Sequence, residues 1–202
     1  GREPDRKDTD KYLAYLATLA SSSRRNEAEK KLKEYLSDFP NEKRAAFLLG
    51  ALYMRQGRKE LASYFFTQLE KDDDFAWKSL VLNNLGLMAL EERNRPLAIE
   101  YLEKATQAKP KIAAPYVNLG SLFLQSRSYG AAEKLFKEAR SLDDRFEDAT
   151  LGLGTALEGQ GKFDEALALY RDYLDDNRGA SSVLFNAAVI LGSRLDKKQE
   201  GA

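Results

Sequence analysis

The sequence predicts an all-α chain, an α-solenoid of about five stacked helix pairs followed by one C-terminal helix. Three observations predict it. Alanines recur at Ala28, Ala62, Ala98, Ala132 and Ala166, with spacings of 34, 36, 34 and 34 residues. Four positions after each stands a large apolar residue: Leu32, Phe66, Leu102, Phe136 and Tyr170. Leu-Gly pairs end at Gly50, Gly86, Gly120 and Gly154, each twelve residues ahead of one of these alanines. A period of this length, kept in phase along the chain, marks repeated helix pairs rather than one irregular core.

Each unit begins with a helix A. In the unit that starts at residue 113, Tyr116, Leu119, Gly120 and Phe123 follow the i, i+3, i+4, i+7 spacing of one helical stripe. Glycine inside a helix costs about 1 kcal/mol relative to alanine, so its recurrence at one register calls for close approach of a neighbouring helix. The alanine of helix B is expected to meet that contact from the other side. The apolar residue four positions on is expected to fill the space between adjacent units. Between helices A and B, Gln56-Gly57-Arg58 and Gln160-Gly161-Lys162 carry the usual glycine stop. Arg93-Asn94-Arg95-Pro96 does the same with Pro96 in the first turn of helix B, where its missing N–H is tolerated. One such pair cannot bury its apolar face, and stacking the pairs does.

The pattern resembles the tetratricopeptide repeat (TPR) family, whose units carry a Leu-Gly pair in the first helix, then an alanine and an aromatic in the second, and proline at the end, as at Pro40 and Pro110. The repeats are placed at 9–42, 43–78, 79–112, 113–146 and 147–180, with a terminal helix at 181–196, a flexible leader at 1–8 and a tail at 197–202. The second repeat holds two extra residues, assigned to Asp72-Asp73-Asp74-Phe75-Ala76-Trp77. Leu16 and Ala188 depart from the glycine, and Asp74, Asp144 and Arg178 stand where proline is usual. The resemblance implies a right-handed superhelix whose A helices line a concave groove. It also implies a scaffold or adaptor that holds a peptide or helix of another protein.

Composition narrows the function classes. Lys plus Arg (32) equals Asp plus Glu (32), so the basic excess that a nucleic-acid binder uses is absent. With no Cys and no His, there is no thiolate metal site, and the commonest neutral-pH general base and transition-metal ligand are missing. No catalytic residue, cofactor or metal is therefore assigned, and the chain is read as a non-enzyme. No apolar run approaches the ~20 residues of a membrane helix, so no direct membrane insertion is expected. A start at Gly1 fits an excised segment or a processed form, and the composition fits cytoplasm and bacterial periplasm alike.

The candidate groove follows from the register. Asn84, Asn118 and Asn186 share one position of helix A. A side-chain amide there offers a donor and an acceptor to a peptide backbone, although asparagine is also simply common at that position of the repeat. Met54, Leu87, Leu90, Val117 and Leu124 supply apolar surface on the same face, and Arg55 supplies charge, whereas Arg44 reads as solvated. Ala114, Asp148 and Gly152 stand where a chaperone-tail carboxylate clamp would need Lys or Arg, so such a clamp is rejected. Repeat five presents Gly152, Thr155, Glu158 and Gly159 there, a small surface. Asp72-Asp73-Asp74 lacks the glycine turn and distant Glu of a calcium loop and reads as an inter-repeat loop. Trp77 reads as packing across the longer junction.

The terminal helix is apolar almost all round, as buried helices are. Leu184, Ala187, Ala188 and Leu191 are expected to pack back on repeat five. Phe185, Val189 and Ile190 are then expected to form an exposed patch that contacts another copy or a neighbouring domain, unless Phe185 tucks toward the groove. A self-assembly module and a regulatory segment of a longer protein remain alternative readings.

Overall fold

The computed structural model describes the backbone of residues 3–200 and the side chains of residues 3–192. Among the described residues there are eleven α-helices and no strand. They fall into two compact units, Gly1–Pro110 and Lys111–Ala202. The first holds α1 (Thr9–Ser21), α2 (Arg25–Asp38), α3 (Lys43–Arg55), α4 (Lys59–Glu70), α5 (Lys78–Glu91) and α6 (Arg95–Gln107). The second holds α7 (Ala113–Gln125), α8 (Tyr129–Leu142), α9 (Glu147–Gly159), α10 (Phe163–Asp176) and α11 (Ser181–Glu200). Within each unit, successive helices pack on one another and alternate helices meet as well, α1 on α3, α7 on α9 and α9 on α11.

The close contacts explain the repeat. Ala28, Ala62, Ala98, Ala132 and Ala166 are all fully buried. A Cβ placed on Gly120 would lie 2.9 Å from Cζ of Phe136, and one on Gly152 only 2.2 Å from Cε1 of the same ring. Phe136 on α8 thus packs against α7 of its own pair and α9 of the next, which is the space-filling role expected of it. Trp77 packs edge-on against Phe47, with ring centroids 5.3 Å apart, and tilts against Phe75.

Four of the five turns between helices A and B, all but the α1–α2 turn, share one backbone conformation. Gly57 and Gly161 take φ of +72° and +76°, and Arg93 and Arg127 take +60° and +56° at the matching places. The left-handed turn is thus kept even where a side chain makes it costly. Asn94 accepts from Leu97 N at 3.2 Å and caps α6 ahead of Pro96.

Two carboxylates tie helix B of one repeat to the turn of the next. Glu29 on α2 accepts from Lys33 Nζ at 2.6 Å, Arg58 Nη1 at 2.9 Å and Gln56 Nε2 at 3.4 Å. Arg58 also lies over the Tyr53 ring, 4.4 Å from its centroid. In the second unit Glu133 on α8 accepts from Lys137 Nζ at 2.5 Å, Gln160 Nε2 at 2.8 Å and Lys162 Nζ at 2.9 Å. Hydrogen bonds from Lys137, Gln160 and Lys162, in that order, hold the Glu133 carboxyl down at about 2. For Glu29, burial opposes ionisation, but hydrogen bonds from Lys33 and Arg58 overcome it and the carboxyl also sits at about 2.

Residues 3–8 of the leader contact α1 and α2: Glu3 meets Lys31 at 2.6 Å and Tyr12 at 3.2 Å, and Arg6 meets Glu34 at 2.9 Å and Asp38 at 3.2 Å. The reading of α11 is corrected: Ile190, expected in an exposed patch, is only 2 % exposed. Its buried face is Val183, Ala187 and Ile190, whereas Leu184, Ala188 and Leu191, expected to pack on repeat five, face outward. In α5 and α9 both faces are covered, one by the preceding repeat and the other by the following helix B. Among the described residues α11 has only the first neighbour, so its other stripe is bare.

Candidate functional site

The A helices of the first unit, α1, α3 and α5, enclose a hollow of about 590 Å³. Its apolar floor is built by Ala17 and Ala20 from α1 and by Phe47, Leu48, Ala51 and Met54 from α3. The three alanines let a ligand approach the backbone, and the Met54 thioether can adapt its shape. Ser21, Arg55, Asn84 and Glu91 form the polar rim. The structure therefore brings together Met54, Arg55 and Asn84, three of the residues expected on the groove.

The rim charges differ in how far they are already satisfied. Glu91 pairs with Lys59 at 2.9 Å. Arg55 Nη1 donates to the Ser21 hydroxyl at 3.1 Å, and among the described residues no carboxylate lies within ion-pair distance of it. Arg44 lies outside the hollow, tied to Glu42 at 3.0 Å and to Asp10 at 2.6 Å. Leu87 and Leu90 are half-buried on α5 and do not line the hollow.

The remaining groove residues belong to the second unit. Asn118 and Leu124 are half-buried on α7. Val117 is a correction: it is 7 % exposed and part of the apolar core with Tyr116 and Phe136, because its face of α7 is covered within the unit. Asn186 is half-buried and hydrogen-bonded to the Tyr170 hydroxyl, which itself donates to Glu158 Oε1 at 3.0 Å. Its amide serves the α10–α11 packing. Gly152, read as open surface, is buried under Phe136.

Sequence reasoning missed Ser21, Ala17 and Ala20, the α1 wall of the hollow. Their small size was the available signal, since small residues at one register permit close approach. Among the described residues no group of three His, Cys, Asp or Glu side chains is placed to hold a metal ion, and no helix is long and apolar enough to cross a membrane. Asp72 is tied to Lys43 and accepts from Asp74 N at 3.2 Å, the arrangement of a loop anchored by its own side chains.

Comparisons with known proteins agree with this architecture. Two tetratricopeptide-repeat family profiles match the chain, one over residues 18–76, 117–182 and 151–191 and the other over 80–112. A UDP-N-acetylglucosamine–peptide N-acetylglucosaminyltransferase of Giardia intestinalis is 28% identical over 151 residues, 71% of this chain. The match spans only 10% of that relative's length. Yeast Tom70 superposes with a TM-score of 0.71 at 18% identity, covering 93% of this chain and 39% of Tom70. The first TPR of Spaghetti (RPAP3), solved bound to an HSP90 peptide, gives 0.54 at 21% identity, covering 59% of this chain and 98% of that one. At these identities the solved structures speak to the fold. With the matched profiles spanning most of its repeats, the chain belongs to the tetratricopeptide repeat family.

Proposed function

We propose that the chain is a non-catalytic interaction scaffold whose first unit holds a segment of a partner protein in the hollow between α1, α3 and α5. The observation that carries this reading is the pairing of an apolar floor with a cation that no described carboxylate compensates: among the described residues Arg55 has the Ser21 hydroxyl as its one side-chain partner, whereas Glu91 is neutralised by Lys59. The preferred segment sets an apolar side chain on Ala51 and Met54 and a carboxylate against Arg55, with Asn84 bonded to its backbone. The Spaghetti TPR structure, solved with a peptide, supports the class of ligand.

Selection of peptides from a random display library tests this. Enriched peptides are expected to carry an apolar residue beside Asp or Glu, and to lose about tenfold or more in affinity for an Arg55→Glu, Asn84→Ala variant. Enriched peptides that bind the variant as tightly as the parent would overturn the reading.

The bare stripe of α11 favours a second, compatible reading. Leu184, Phe185, Val189 and Leu191 are exposed, Phe185 by 67 % and Val189 by 50 %. In earlier repeats a helix B covers the corresponding stripe, so this surface fits an apolar helix face, supplied by another copy or by a neighbouring domain. A concentration series of solution mass, with Leu184→Glu and Val189→Asp together as control, distinguishes a copy from a domain. A strictly monomeric parent removes the self-association version.

A further inference from the structure

A second cleft lies on the first unit away from the hollow, between the α2–α3 turn and α4. It has a volume of about 650 Å³ and is lined by Pro40, Asn41, Ala46, Tyr64, Phe65 and Gln68, among others. We propose that this cleft binds a proline-rich, polyproline-II segment of a partner that carries a basic residue at one end.

The repeat supplies an internal control. Tyr64 occupies a solvent-facing register that holds Lys30, Glu100, Lys134 and Ala168 in the other four repeats. Only in the second repeat is it aromatic, and there the ring is 60 % exposed and stands edge-on to Phe65 with centroids 5.4 Å apart. A charged residue satisfies the fold at this position, so packing does not require the tyrosine. An exposed aromatic ridge beside a cleft is the surface on which proline rings stack.

The polar groups point to the same ligand. The Asn41 amide and the Tyr64 hydroxyl have no hydrogen-bond partner among the described residues, and Gln68 uses only its Oε1, which accepts from Lys71 Nζ at 3.3 Å. The cleft thus offers N–H and O–H donors that have no partner among the described residues. A polyproline-II segment has solvated carbonyls and, at each proline, no N–H, so it supplies acceptors without donors. Asp72, with Lys43 beside it, lines one end, where the Asp72-Asp73-Asp74 loop begins. Lys43 and Lys78 pair with Asp72 and Asp73, and among the described residues Asp74 pairs with no cation, which leaves the loop beside the cleft a negative charge for a basic residue just beyond the bound segment. A smaller hollow of about 380 Å³, lined by Tyr35, Phe39, Pro40 and Asn41, adjoins across the Pro40–Asn41 ridge and extends the track.

Fluorescence anisotropy with a labelled peptide of repeated Pro-Pro-Leu ending in Arg-Arg tests the proposal, with a Gly-Ser peptide of equal charge as control. Saturable binding of the proline peptide alone is expected. Tyr64→Lys should weaken it about tenfold or more, and Tyr64→Phe, which keeps the ring, by less. Tyr64→Lys should melt like the parent, since lysine occupies this register twice elsewhere in the chain. Equal binding of both peptides, no saturation, or indifference to Tyr64→Lys would each overturn the proposal. So would a parent that self-associates through this face, shown by Tyr64→Lys reducing its solution mass while the proline peptide fails to bind.

Discussion

The ring of Phe136 occupies the volume where Gly152 lacks a side chain: a Cβ on Gly152 would stand 2.2 Å from Cε1 of that ring. Because Phe136 is also wedged against Gly120, it cannot swing aside without opening the α7–α8 contact. Gly152→Ala should therefore destabilise the chain, although alanine is the better helix former by about 1 kcal/mol. Overpacking of this kind costs about 1–3 kcal/mol, so the expected net loss is about 1–2 kcal/mol. At Gly50 the nearest atoms stand at 3.0 Å, and Gly50→Ala should cost less. Denaturant melts of the two variants check the ordering, and a Gly152→Ala chain as stable as its parent would contradict it.

Glu133 should make the second unit acid-sensitive. Its carboxyl is held at about 2, below its ordinary 4.5, chiefly by the hydrogen bond from Lys137. A depressed folded-state value stabilises the fold above the unfolded value, and that stability drains away as pH falls from about 4.5 toward about 2. Allowing for solvent screening, Glu133→Gln should cost about 1–2 kcal/mol near neutrality. Parent and variant should then converge as the pH approaches about 2. A difference that stays constant from neutrality to that pH would mean that the carboxylate charge contributes nothing.

The repeat was legible because its contacts are steric. Glycine and alanine at fixed registers report helix approach directly, and the wedge formed by Phe136 follows from the same pattern. The α11 face was harder to read. The sequence places Leu184 and Leu191 at the stripe that helix B covers elsewhere, so their apolar character looked like burial on repeat five. The stripe facing the preceding repeat is instead Val183, Ala187 and Ile190. The groove was half legible. Register alone located Met54, Arg55 and Asn84, but it could not show that Val117 is core or that Tyr170 takes the Asn186 amide. Those outcomes depend on which neighbour reaches a helix, which a single helix's pattern does not encode.

Arg127 holds φ at +56° where the matching turn has Gly161 at +76°. A non-glycine residue there costs about 1–2 kcal/mol in the folded state, partly offset because glycine loses more freedom on folding. Arg127→Gly should stabilise the chain by up to about 1 kcal/mol, and Arg93→Gly likewise. The two turns lie in separate units, so the gains should add in the double variant within about 0.5 kcal/mol. Thermal melts read this directly, and a lowered melting temperature in both single variants would show that the arginine side chains contribute more than their backbones cost.

The two sides of α11 should respond oppositely to the same substitution. Val183 is fully buried against the preceding repeat, and an aspartate there would place an unpaired carboxylate in the apolar core with Ala187 and Ile190. Burying such a charge is costly enough that Val183→Asp should lose about 3 kcal/mol or more, or release α11 from α9 and α10. Val189 is 50 % exposed on the bare stripe, so Val189→Asp should change stability by no more than about 0.5 kcal/mol. Backbone amide exchange across 181–192 separates the cases. Protection should collapse in Val183→Asp and persist in Val189→Asp. If the two variants lose protection equally, α11 is covered on both sides in solution, and the surface offered to a second helix is already occupied. If neither does, the helix is not docked on the preceding repeat through Val183, and the assignment of its buried face fails.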